Sequence, residues 1–130
     1  MFIRFAIDHR DADSGRGLGI FHAAEHLRDR GRLQPWEADA LQEFRDWFGD
    51  NLKSPTRFTT AKPPYYRKQP KAIAWFKDTA KEHIRRIRQM VEILERYGMI
   101  VHTYRADRVG YVVYEDEFQI VAEPFSDTVC

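Results

Sequence analysis

The sequence predicts an α+β fold: one domain, about five short strands in a mostly antiparallel sheet, and three helices packed on it. The expected order is β-α-α-loop-β-α-β-β-β. Three observations lead there. The chain has 130 residues, one domain's length, and a chain of that size buries roughly two thirds of its unfolded surface. Hydrophobic residues reach 43% and aromatics 14%, whereas disordered chains lack aromatics and carry lopsided charge. Apolar residues recur with helical spacing in three segments and crowd into short β-rich runs elsewhere.

Residues 2–7 (FIRFAI) alternate well enough for a first strand ending near Asp8. Residues 8–19 combine three aspartates, a serine and three glycines, which is turn chemistry. A helix is expected over 18–30, with Ile20, Phe21, Ala24 and Leu27 on one face and Gly31 as its stop. A second opens at Pro35, whose missing N–H would be unpaired there anyway. Its stripe is Trp36, Ala40, Leu41, Phe44, Trp47 and Phe48, and Gly49 is expected to end it.

Residues 53–71 hold four of the six prolines, so they read as a long connection. Residues 72–76 then read as a short buried strand. Thr79 and Glu82 have capping-box spacing, and the third helix follows to Tyr97 with Ala80, Ile84, Ile87, Val91 and Leu94 on one face. The tail reads as strands over 99–105, 110–115 and 117–122. The stretch 72–105 has the makings of a β-α-β crossover.

Composition excludes several functions. With 21 Lys+Arg against 20 Asp+Glu the net charge is +1, so the chain is neither a uniformly basic coat nor an acidic tail. Cys130 is the single cysteine, and no internal disulfide can form. No apolar run is long enough to cross a membrane, and the first residues are not a secretory signal; a cytoplasmic setting is the expectation. Neither a Walker A sequence nor a Gly-rich dinucleotide fingerprint occurs.

Three features bear on function. First, His22-Ala23-Ala24-Glu25-His26 is an H-x-x-E-H sequence, which resembles the zinc-binding helix of the inverzincin peptidases. That resemblance implies His22 and His26 as zinc ligands and Glu25 as the base of a metal-dependent hydrolase. Imidazoles at i and i+4 share a helix face and can share a metal. On the helical wheel both lie opposite the apolar stripe and should face solvent. No other cofactor is expected.

Second, Lys53, Arg57, Lys62, Arg67, Lys68 and Lys71 lie in a stretch with no acid between Asp50 and Asp78, interleaved with Phe58, Tyr65 and Tyr66. Cations neutralise phosphates and aromatic faces stack on unpaired bases. Arg85, Arg86 and Arg88 would extend this surface, while the tail from Val109 onward has five acids and no Lys or Arg. The leading expectation is therefore a binding protein, not an enzyme. Its partner would be nucleic acid or a protein that handles it, engaged through Arg57, Lys62, Tyr65, Tyr66, Arg67, Lys68, Lys71, Arg85 and Arg88. A module that binds only protein is the alternative, and a homodimer is compatible with the sequence. Third, the helix ending at Tyr97, Gly98 and the strands after it are similar to the end of a winged-helix domain, which implies that those strands pair as a wing.

Overall fold

Alternation carries the first strand well past its expected end. In the structure, a computed structural model that describes residues 1–10, 17–55 and 72–126, strand β1 runs Phe2–Arg10. Ile3 and Phe5 are buried on the face that meets the helices, with Ile7 half-buried beside them. Side chains alternate across a strand, so Phe2, Arg4 and Ala6 fall on the opposite face.

Six strands and three helices form among the described residues. After β1 come β2 (Gly17–Gly19), α1 (Ile20–Asp29), α2 (Pro35–Asn51), β3 (Ile73–Lys77), α3 (Lys81–Arg96), β4 (Val101–Ala106), β5 (Tyr111–Glu115) and β6 (Gln119–Glu123). Every pairing is antiparallel. Strand β4 lines one edge of β1 from Phe2↔Ala106 to Ile7↔Val101. Strands β3 and β2 divide the other edge, β3 at Phe2 and Ile3 and β2 from Ala6 onward. Strand β6 pairs with β3, and β5 with β6. Because β3 and β4 flank β1 and both oppose it, they run parallel to each other. The expected crossover is thus present as a split β-α-β unit with β1 between its strands.

Helix α3 supplies the centre of the core. Ile87 and Leu94 are fully buried, with His83, Ile84, Met90 and Ile93 close to it. Ile20, Ala24 and Leu27 of α1 and Leu41, Phe44 and Phe48 of α2 complete that layer. At ~1.5–3 kcal/mol for each fully buried large apolar side chain, this layer outweighs local propensity.

A second, smaller core lies on the other face of the sheet. Ile73, Trp75, Ile120 and Ala122 gather there around Val109, with Phe2, Tyr104 and Ala106 against them. The link from β4 to β5 explains it. Four strand spacings in a flat sheet would separate those edges by about 19 Å, whereas the five Cα–Cα steps from Ala106 to Tyr111 reach about 17 Å. The sheet therefore curls, and the link crosses its concave face with Val109 as the plug. Gly110 permits the crossing. Its φ is +127°, and a Cβ there would run into the Glu123 carbonyl and the Cα of Pro124.

Several expectations need correcting. Residues 17–19 form a strand, not a turn; the ladder to β1 uses backbone groups, so glycine-rich sequence hides it. Helix α2 continues through Gly49 to Asn51, because nothing turns the backbone there and Leu52 is the first extended residue. Its stripe does not bury all its aromatics. Trp36 is 52% exposed and Trp47 is half-buried, while Glu37 is buried. The Thr79–Glu82 capping box does not form. Ala80 is the N-cap of α3, and Glu82 bonds to Arg85 and Arg86 instead. Strands β4 and β5 pair with β1 and β6 and not with each other, so there is no wing.

Candidate functional site

Helices α1 and α2 flank a cleft along the margin of their core-facing stripes. On α1 the positions are Phe21, Ala24, Glu25 and Arg28, spaced i, i+3, i+4 and i+7. On α2 they are Leu41, Phe44, Arg45, Phe48, Gly49 and Leu52, again one stripe. Between them opens a cleft of about 620 Å³. Ala74 of β3 and Gln119 of β6 contribute from the sheet, and Lys53, Ser54 and Pro55 line it where the chain leaves α2.

Aromatic contacts hold the walls at fixed spacing. Phe21 meets Phe48 edge-on at 5.0 Å and Phe44 at 5.5 Å, so one ring from α1 is wedged against two from α2. Offset and edge geometry of this kind is the favoured arrangement for aromatic pairs. Behind Phe48, His83 of α3 packs against Trp47 and Phe118. Its Nε2 donates to the Asn51 carbonyl at 2.8 Å, which ties the end of α2 to α3. Gln119 is buried, and its Nε2 donates to the Lys53 carbonyl at 2.6 Å, fixing the chain that leaves α2.

The rim is charged. Glu25 accepts from Arg28 Nη2 at 2.8 Å, and Arg45 Nη1 lies 3.3 Å from its other oxygen. One carboxylate from α1 is therefore shared by guanidiniums from α1 and α2. Lys53 and His22 also line the cleft.

The structure separates the residues singled out from sequence. His22 lines the cleft and His26 does not; both are exposed, as the helical wheel implied. Glu25, the base implied by the inverzincin resemblance, sits between two arginines instead. Among the described residues no cluster of three or more His, Cys, Asp or Glu side chains could hold a metal ion.

Arg57, Lys62, Tyr65, Tyr66, Arg67, Lys68 and Lys71 lie outside the described residues. Arg85 and Arg88 line a separate hollow with Lys81 and Glu92, which shares no lining residue with the cleft. Arg85 and Arg86 both bond to Glu82, and Arg86 also lies 4.4 Å over the Trp47 ring. The Arg85 hydrogen bond, reinforced by Arg86, holds the Glu82 carboxyl down at about 2. Much of the positive charge expected on α3 is therefore committed within the helix.

Sequence reasoning missed the cleft because its walls come from four elements, and Arg45 reaches Glu25 only through tertiary packing. A signal was available in Gly49, which stands among large aromatics on the inner stripe of α2. Its position leaves open space where a Cβ would project.

No helix among the described residues is long and apolar enough to cross a membrane. Comparison of the chain with known protein families, with curated proteins and with solved structures finds no match.

Proposed function

We propose that this chain is a small binding domain that seats the apolar part of a small ligand in the cleft between α1 and α2. The cleft itself carries the reading. Its volume, about 620 Å³, lies inside the range of roughly 300–1,000 Å³ typical of small-molecule sites. Its walls are mostly aromatic and aliphatic, with a few polar groups among them, Gln119 from the sheet and the charged side chains of the helices, which is the usual division between affinity and orientation.

The test is titration with Nile red, a neutral apolar dye. Saturable binding at one site is expected, weakened at least tenfold by Ala74→Ile and by Gly49→Leu. The first substitution fills the cleft from the sheet and the second from the helix, with circular dichroism verifying the fold of each. No saturable binding, or binding indifferent to both substitutions, refutes the reading.

A second reading rests on a different observation, the basic and aromatic composition of 53–71. Under it the chain engages nucleic acid or a protein complex that handles it. Single-stranded RNA and DNA should then bind with a salt slope of about −0.7 to −0.9 per phosphate neutralised. The paired substitution Arg67→Ala and Lys68→Ala should flatten that slope. No binding at low salt would end this reading.

A further inference from the structure

The cleft is apolar inside and cationic at its mouth, and this combination selects a ligand class. Arg28 and Arg45 both meet Glu25, the one carboxylate among the described residues lining the cleft, and Lys53 lines the cleft as well. The rim therefore carries more positive charge than its own acid cancels. Each guanidinium offers five N–H donors in a planar fork. The bond of Arg28 to Glu25 is made through Nη2, and the contact of Arg45 is made through Nη1 at 3.3 Å, so most of both forks remains available. The two arginines come from different helices and converge on Glu25, which marks the place where an anionic group would be held.

Resting on the binding reading above, we infer that the ligand is an amphipathic anion. Its hydrocarbon body lies along Phe21, Phe44 and Phe48, and a carboxylate head is held by Arg28 and Arg45. Glu25 has two consequences. It keeps the two guanidiniums in place while the site is empty, and it competes with the ligand head for them. Charge-assisted bonds from a guanidinium fork to a carboxylate are shorter and stronger than neutral ones. The head group should therefore add to whatever the apolar walls supply. Partly exposed positions keep the effect moderate, since solvent and salt screen such pairs.

Calorimetric titration of the full chain with decanoate, decanol and decylammonium tests this. All three share one apolar body, and the runs stay below micelle formation. Decanoate should bind at least tenfold more tightly than decanol, and decylammonium least. The pair Arg28→Met and Arg45→Met, which keeps the apolar stems, should bring decanoate and decanol to near parity. Glu25→Gln should tighten decanoate severalfold by removing the competing carboxylate. Equal binding of decanoate and decanol by the unmodified chain overturns the inference while leaving the cleft reading standing. So does a decanoate preference that survives the double methionine variant. If none of the three ligands binds and Nile red also fails, the cleft reading itself has failed.

Discussion

Phe48→Ala puts the assignment of the cleft wall to a quantitative test. The ring is 4% exposed and meets Phe44 at 4.7 Å, Phe21 and Trp47 at 5.0 Å, His83 at 5.7 Å and Phe76 at 6.3 Å. It thereby joins α2 to α1, α3 and β3. Buried Phe→Ala changes cost about 3–5 kcal/mol, part of which is the cavity left behind. Here the vacated space opens into the cleft and can be wetted, which places the expected cost near the lower end, about 3 kcal/mol. At ~2.1 cal/mol/K per residue, the unfolding entropy of this chain is about 0.27 kcal/mol/K, so Tm should fall by about 11 °C.

Trp36→Ala is the matched control, since sequence puts Trp36 on the same stripe. That ring is half exposed and touched by the Arg96 guanidinium at 4.9 Å. Its loss should cost under about 1 kcal/mol. Urea unfolding followed by far-ultraviolet circular dichroism reads both. Equal costs for the two variants, or a Phe48→Ala cost below about 1 kcal/mol, would refute the packing described here.

Three further outcomes are expected. The Tyr97 hydroxyl, with the Gln34 N–H and Arg96, holds the buried Glu37 carboxyl below its ordinary 4.5. A depressed carboxyl stabilises above the unfolded value and loses that contribution as pH falls through the folded one. Glu37→Gln should therefore lower the urea midpoint at pH 7 and make it fall less steeply below about pH 4.5 than in the unmodified chain. Gly110→Ala should cost at least about 2 kcal/mol in a thermal melt, since it adds a positive-φ penalty to a backbone collision. Gly49→Ala should raise stability by about 0.5–1 kcal/mol, because the site is helical and a Cβ there meets nothing.

The legible parts of the fold were those where side-chain periodicity and backbone structure agree. Phe2–Ile7 alternates, α3 presents Ile84, Ile87 and Leu94 at helical spacing, and Pro35 marks the start of α2. Where the backbone alone decides, the pattern fell silent. Strand β2 is two glycines around a leucine, paired to β1 through its ladder. Glu37 is the opposite case, a charged residue of α2 that is buried because the Tyr97 hydroxyl and the Gln34 N–H satisfy its carboxylate. Trp36 was misplaced for the complementary reason. The stripe predicts which side of a helix is apolar, not how far along the helix its neighbour extends. Of the histidine motif of α1, His22 and Glu25 line the cleft, and the contact of Glu25 with Arg45 comes only from tertiary packing.

The placement of β1 has a consequence for how the chain acquires its shape during synthesis. Strand β1 is an interior strand; its short neighbour β2 follows it directly, but β3 and β4 are translated some seventy to a hundred residues later. Strand β6 then completes the pairing of β3 on the other side. Before β3 and β4 are made the chain can form α1, α2 and the short β1–β2 ladder, but not the rest of the sheet. Non-local pairing of this kind slows folding, and the apolar face of β1 must stay uncommitted meanwhile, as aggregation-prone segments do. Ribosome-release experiments should accordingly find protease resistance appearing abruptly, after β6 has emerged, and not in stages.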